Sequence, residues 1–282
     1  MLVAVRARRC SLSVPATPPN KLEKGASLLA DEIVIDLEDS VPNELKEEAR
    51  AAVVDALTSA SWGSATVTVR VNGTTTPWFE DDLRSIADAA RLDSVIVPKV
   101  ESAADLERAA ALVPCGLQAL IESALGLREI HSIAEATEQL EALIMGPADM
   151  SVSLGFPSPA EGEHWDPIRS AVVVAARAAG VQAIDGPFLQ ISDLEGLRVS
   201  AERARSFGFD GKWALHPAQI EPVTEAFTPT PEEVAKAAEI LDALSGGKAG
   251  AALLDGEMVD EASRKRAEAI IATRDASEAA LE

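Results

Sequence analysis

Eight short runs of aliphatic and β-branched residues, each followed by a stretch of helical spacing, constrain this chain more than any other feature. They are Ser11–Val14, Ile33–Asp36, Thr66–Val71, Ser94–Val97, Leu117–Ile121, Ala142–Met145, Gln182–Ile184 and Lys212–Leu215. Ile33-Val34-Ile35 is a continuous apolar triplet rather than an alternation, the pattern of a strand covered on both faces. Strands that alternate with helices define an α/β chain with a parallel sheet. Eight such units predict a closed (β/α)8 TIM barrel, which commonly takes about 250 residues as one domain. An open doubly wound sheet is the alternative arrangement. Helix starts are also legible. Ser102, with Asp105 three residues on, reads as a capping box ahead of Leu106, Ala109, Ala110 and Val113. Pro42 suits the first turn of a helix running to Leu57.

The pattern changes near residue 228, so the barrel is expected over residues 1–227 and a C-terminal helical extension over residues 228–282. Thr230 as N-cap, Pro231 at the first helical position and Glu233 at the third open a helix that reaches Leu244 and stops at Gly246-Gly247. A loose segment from Lys248 to Glu257 then leads to a last helix from Asp260 to Glu282. Its apolar positions Ala262, Ala269, Ile270, Ala276 and Ala280 need a surface to cover. An extension this small cannot hold its own core, so it is expected to dock on the barrel or on a neighbouring subunit.

Charge narrows the function classes. Among 282 residues, 25 are Lys or Arg and 46 are Asp or Glu, a net charge of −21. Such a surface repels phosphate backbones and anionic lipids, which argues against nucleic-acid and membrane-surface roles. No apolar run approaches the roughly 18 residues a membrane helix needs. Arg6, Arg8 and Arg9 fall where a secretory signal would place its apolar core. Cys10 and Cys115 are the only cysteines, so neither a disulfide framework nor a thiolate metal site is available. A cytoplasmic location is expected.

In a (β/α)8 barrel the active site lies at the C-terminal ends of the strands, and here those ends are polar. They read Asp36-Leu37-Glu38-Asp39, Arg70-Val71-Asn72-Gly73, Pro98-Lys99, Glu122-Ser123, Gly146-Pro147-Ala148-Asp149, Asp185-Gly186-Pro187 and His216-Pro217. Taken singly, Asp39, Ser123 and Asp185 are good helix N-caps. Taken together, one arginine and several carboxylates converge on one rim. Glu122 and Asp149, on adjacent strands, could supply two oxygen ligands to Mg²⁺ and leave positions for water and substrate. The duller alternative is a Glu122–Arg70 ion pair with Asp149 as a cap. His216 precedes a proline and is expected to position a turn; His131 and His164 have no partner pattern.

The segments Ile33 to Pro42, Val69-Arg70-Val71-Asn72, Pro98 to Ser102, Ile121-Glu122-Ser123, Gly146 to Asp149 and Leu215 to Ile220 follow the order of a known family. Over nearly the whole chain, from Arg9 to Asp275, the sequence resembles the citrate lyase beta-subunit-like family of the HpcH/HpaI aldolase superfamily, which includes malyl-CoA and citramalyl-CoA lyases. The resemblance implies a Mg²⁺-dependent carbon–carbon lyase, with Mn²⁺ as a substitute metal, acting on a 3-hydroxyacyl-CoA thioester by Claisen-type chemistry. It implies that Glu122 and Asp149 are metal ligands, that Arg70 binds substrate beside Glu122, and that Asp36 is the strand-2 acid supporting the site. Asp255-Gly256-Glu257-Met258-Val259-Asp260 resembles the family's Glu-Gly-x-Met-Ile-Asp lid motif. Its final residue, here Asp260, would then act in the active site of a neighbouring subunit, within a homotrimer or hexamer. Arg9 and Lys24 stand where the family has basic residues near the CoA phosphates. Two departures are visible. Ser13-Val14-Pro15-Ala16 replaces Phe-Val-Pro-Gly, which puts the acyl carrier in doubt, and Asp255 replaces the first lid Glu. Three alternatives stay open: a citrate lyase subunit acting on an acyl-carrier thioester, a class II pyruvate aldolase, and a non-catalytic CoA-binding protein. The aldolase branch uses a His after the strand-2 region, and this chain has no His before His131.

Overall fold

The computed structural model describes residues 6–63, 65–245 and 251–279. Eight parallel strands close a barrel in sequence order: β1 (Cys10–Pro15), β2 (Glu32–Asp36), β3 (Thr66–Arg70), β4 (Ser94–Val97), β5 (Gly116–Ile121), β6 (Leu140–Met145), β7 (Gln182–Asp185) and β8 (Gly211–Ala214). The circle closes where Cys10, Ser11 and Leu12 of β1 pair with Lys212, Trp213 and Ala214 of β8. The doubly wound alternative is thereby excluded.

Between and after the strands run α1 (Asn20–Gly25), α2 (Lys46–Ser59), α3 (Phe79–Ile86), α4 (Ala103–Ala110), α5 (Ala124–Arg128), α6 (Ile130–Ala134), α7 (Pro147–Ser153), α8 (Asp166–Ala179), α9 (Leu194–Phe207) and α10 (Ile220–Phe227). The expected capping box opens α4, with the Asp105 carboxylate accepting the Ser102 N–H at 2.9 Å. Pro42 precedes a 3-10 turn at Asn43–Leu45 rather than entering the α-helix directly, so α2 starts at Lys46. No helix among the described residues is long and apolar enough to cross a membrane.

Period-two alternation explains how the barrel interior is filled. Midway, Val34, Ile96, Leu120, Ala142, Ile144, Ile184 and Trp213 form one buried apolar cluster. Two residues back along the strands lies a polar layer. There Glu32 accepts from Ser11 Oγ (2.6 Å), Thr68 Oγ1 (2.7 Å), Gln118 Nε2 (2.6 Å) and Arg8 Nε (3.1 Å). Burial would raise the Glu32 carboxyl, but Arg8 and these hydrogen bonds hold it below the usual range. Two residues forward, the same alternation aims Asp36, Arg70 and Glu122 into the barrel at its C-terminal end.

Two compact units are present. One is Arg8–Glu225, which holds the barrel; the other comprises the residues from Ala226 onward together with those before Arg8. In the second unit α11 (Pro231–Ser245) begins with a reciprocal cap: Thr230 N–H donates to Glu233 Oε2 (2.8 Å), and Glu233 N–H donates to Thr230 Oγ1 (3.2 Å). The expected stop at Gly246-Gly247 lies outside the described residues, as does Ala280.

The expectation of a loose segment up to Glu257 is corrected. Strands β9 (Ala251–Leu254) and β10 (Glu257–Asp260) pair antiparallel, ahead of α12 (Glu261–Ala279). They are joined at Asp255-Gly256, whose φ values of 52° and 84° suit the tight two-residue turn that Asp-Gly favours. Ala262 and Ala269 are exposed, while Ala267 and Ser277 are buried with Ala237 and Val259. These small side chains make a thin core, as a unit of this size allows.

Candidate active site

Asp36 and Arg70 are register partners on β2 and β3. They meet through two hydrogen bonds, Nε to Oδ1 at 2.8 Å and Nη2 to Oδ2 at 2.7 Å. Nη1 of the same guanidinium lies 3.0 Å from Glu38 Oε2 and 3.9 Å from Asp39 Oδ2. Below it lies the Trp213 indole, with Arg70 Cζ 5.5 Å from the ring centroid, a cation–π contact. Burial would raise the Asp36 carboxyl, but the Arg70 charge overcomes this and holds it below the ordinary carboxylate range. Arg70 is in turn held above its ordinary value despite burial, chiefly by Asp36. A planar fork locked on one edge by a carboxylate is a rigid cation.

Glu122 follows β5 and is 5% exposed. The ion pair with Arg70 weighed as the duller reading does not form, because Arg70 is engaged by the β2 acids. Glu122 Oε1 accepts the Lys99 backbone N–H at 2.8 Å, and no donor among the described residues meets Oε2. The Glu122 carboxyl is pushed up to about 8, first by burial, then by the nearby charges of Glu38 and Asp149. Burial likewise raises Glu38. Asp149 is half-buried in the first turn of α7. Its neighbour Gly146 leaves space under Glu122: a Cβ there would lie 2.6 Å from Glu122 Cβ and 2.9 Å from Oε2.

This donor set fits a hard divalent cation. A buried carboxylate with a free oxygen, raised by a second carboxylate nearby, is a place where positive charge is missing. Among the described residues no group of three or more His, Cys, Asp or Glu could hold a metal. Glu122 and Asp149 would therefore leave the other positions to water and substrate.

The remaining expected site residues separate. Lys24 is exposed on α1, which follows the C-terminal end of β1. Arg9 is corrected as a phosphate contact. It precedes β1 and so lies at the opposite end of the barrel from Glu122, buried, with Nε and Nη2 on Asp31 at 2.8 and 2.7 Å. Asp260 lies in the second unit, where its Oδ1 caps α12 by accepting from Ala262 N–H (3.0 Å) and Ser263 N–H (3.2 Å). Ser123 caps α5 through the Gly126 N–H at 3.0 Å. Among the described residues Asp185 caps no helix; it is buried in an ion pair with Lys212. His216 positions its turn, Nδ1 accepting the Ala218 N–H at 3.1 Å.

Sequence reasoning gave no role to Lys99, Gly146 or Trp213. Trp213 had a signal: it lies within the run Lys212–Leu215 that reads as the last strand, and it joins the apolar cluster inside the barrel. Gly146 and Lys99 had none: Gly146 acts by lacking a side chain, and Lys99 is placed by a left-handed backbone that its sequence does not announce.

A closed parallel barrel with a clamped arginine and buried carboxylates at its C-terminal mouth has the form of an enzyme of the (β/α)8 class. The chain belongs to the HpcH/HpaI aldolase/citrate lyase family, whose pattern matches residues 9–217. It is similar to the L-malyl-CoA/beta-methylmalyl-CoA lyase of Cereibacter sphaeroides, with 38% identity over 299 residues and 94% of each chain covered. It is also similar to a (3S)-malyl-CoA thioesterase of the same species, at 37% identity over 263 residues and 89% of each chain. Among solved structures it resembles CitE from Mycobacterium tuberculosis in complex with magnesium, acetoacetate and coenzyme A. There the identity is 32%, the TM-score 0.82, and the coverage 98% of this chain and 100% of the other.

Proposed function

We propose that this carbon–carbon lyase cleaves, or forms, a 3-hydroxyacyl-CoA thioester such as malyl-CoA or citramalyl-CoA, giving an acyl-CoA and a 2-oxo acid. The observation that carries it is that a clamped cation, Arg70, and a buried carboxylate pushed up to about 8, Glu122, both stand at the C-terminal mouth of the barrel without pairing with each other. Glu122 and Asp149 would hold Mg²⁺ or Mn²⁺. When bound, the metal supplies Lewis acidity toward the hydroxyl and carboxylate oxygens of the acid portion.

In cleavage the 3-hydroxyl proton passes to solvent water, the C2–C3 bond breaks, the C3–O pair becomes the carbonyl of the oxo acid, and the C2–C3 pair is left as a thioester enolate. Arg70 would hold the charge on the enolate oxygen, a contribution commonly worth about 3–4 kcal/mol for one donor. Asp36 keeps the guanidinium in plane for that task. Asp260 of a neighbouring subunit would deliver a proton to the enolate carbon, or remove it in synthesis. Its Oδ1 is engaged as a helix cap, so Oδ2 is the oxygen proposed to act. Lys24 would meet the CoA phosphates. The family resemblance implies that such a shared site would lie within a homotrimer or hexamer.

A second reading, hydrolysis of the thioester itself, is favoured by the similarity to the thioesterase. Incubation with malyl-, citramalyl- and hydroxymethylglutaryl-CoA separates the two. A lyase releases an oxo acid without free thiol, a 2-oxo acid from the first two substrates and a 3-oxo acid from the last; a hydrolase releases free CoA thiol and no oxo acid.

A further inference from the structure

Lys99, two residues past the end of β4, bridges the two halves of the candidate site. Its backbone is left-handed, with φ 53°. The other described non-glycine residue with positive φ is Asp255, where the Asp-Gly turn requires it. Lysine resists this conformation because its Cβ crowds the neighbouring carbonyl, and such residues persist where the surroundings impose them. Here the conformation sends the two ends of one residue in different directions. The Lys99 N–H donates to Glu122 Oε1 at 2.8 Å. Its Nζ reaches back to Glu38 Oε1 at 2.6 Å and Asp39 Oδ1 at 3.5 Å.

The electrostatic consequence concerns Arg70. Its single positive charge faces Asp36, Glu38 and Asp39. A guanidinium outnumbered by carboxylates presents little positive field to a substrate oxygen. The two Glu38 oxygens are divided between the cations, Oε2 on Arg70 and Oε1 on Lys99. Lys99 therefore neutralises acid charge that would otherwise fall on Arg70 alone.

We propose that Lys99 is a positioning residue of this site: its left-handed N–H orients Glu122, and its ammonium balances Glu38 and Asp39 so that Arg70 keeps a net positive field for the substrate. The inference rests on Glu122 as a metal ligand and Arg70 as the holder of substrate charge. Four variants separate its parts: Lys99→Met, Lys99→Arg, Lys99→Gly and Lys99→Ala. In the metal-free protein, Lys99→Gly should unfold at a higher temperature than Lys99→Ala, since both lack the ammonium and only glycine takes this φ without strain. Lys99→Met retains the N–H, so calorimetric Mn²⁺ affinity should be as tight as wild type or tighter. Its kcat on malyl-CoA should nevertheless fall at least tenfold with little change in KM, and Lys99→Arg should recover most of that loss. Equal or reversed melting temperatures for the glycine and alanine variants overturn the backbone part. An unchanged kcat in Lys99→Met, or a parallel loss of Mn²⁺ affinity, overturns the electrostatic part. Glu122→Gln and Arg70→Lys run alongside as controls: wild-type Mn²⁺ affinity in the first, or wild-type kcat in the second, overturns the reading of the site itself and the inference with it.

Discussion

Asp36 and Arg70 face each other across the β2–β3 ladder as register partners, joined edge to edge by hydrogen bonds of 2.8 and 2.7 Å. Both are buried, so each is the other's main solvation. Removing one charge leaves the other buried with only Glu38 or its neighbours to answer it. Asp36→Asn leaves Arg70 still paired with Glu38 and near Asp39, so it is expected to destabilise the fold by about 1.5–3 kcal/mol, the scale of a hydrogen bond to a charged group. Arg70→Lys keeps the charge but loses the planar fork, and turnover should fall roughly 10²–10³-fold, the effect of losing one oxyanion donor. Thermal unfolding reads the first and steady-state kinetics the second. A near-normal rate for Arg70→Lys would mean that Arg70 only pairs with the β2 acids.

Glu122 links pH to metal binding. Its carboxyl in the metal-free fold is pushed up to about 8, against about 4.3 in an unfolded chain. Between these values the folded state keeps a proton that the unfolded state has lost, so this group costs the metal-free fold stability as pH rises, fully by pH 8 and above. Glu122→Gln should therefore raise the melting temperature of metal-free protein at pH 8 and leave it almost unchanged at pH 5. In wild type, Mg²⁺ affinity should increase from pH 6 to 8 with proton release, seen by calorimetry in buffers of different ionisation heat. Proton-neutral binding across that range would contradict the assignment.

Gly146 supplies the room in which the Glu122 carboxylate lies. A methyl group there meets Glu122 Cβ at 2.6 Å and Oε2 at 2.9 Å, closer than side chains pack. Gly146→Ala should shift the carboxylate and weaken Mg²⁺ binding about 10–100-fold, the range seen when supports of metal ligands are altered. The helical content should not change. An unaltered metal affinity would place the cation away from Glu122.

Sharing of the site between chains has its own signature. Asp260→Asn and Asp149→Asn should each be nearly inactive. Co-expressed, they form mixed oligomers in which some sites pair an intact metal centre with an intact lid, and activity should return up to roughly a quarter of wild type under random assembly. Mixed oligomers, verified with two affinity tags, that stay as inactive as the single variants would count against a lid acting between subunits.

The barrel was legible because its strands are short, aliphatic and regularly spaced, and the eight predicted runs coincide with the observed strands to within two residues at either end. Asp36, Arg70 and Glu122 could be read for the same reason: each stands in the inward register of its strand. The partner of Arg70 could not be chosen between Asp36, Glu38 and Glu122, since all three stand at the same rim. Only the register of β2 with β3 decides it. Arg9 was misplaced because motif likeness ignores strand direction; a residue before β1 lies at the wrong end of a parallel barrel. The β9–β10 hairpin is hard to read although Asp255-Gly256 is a strong turn signal, because its strands are four residues each, the first only alanine and leucine and the second Glu-Met-Val-Asp, too short to show a period. Lys99 was beyond reach: nothing in a Pro-Lys-Val sequence announces a left-handed lysine.

Release of a 2-oxo acid from malyl-CoA, followed in one protein sample before chelation, after exhaustive chelation and after Mg²⁺ is restored, tests the lyase assignment most directly. Oxo acid and acyl-CoA should form in equal amounts, cease when the metal is stripped and resume when it returns. Undiminished turnover by rigorously metal-free protein, or release of free thiol with no oxo acid, would contradict it.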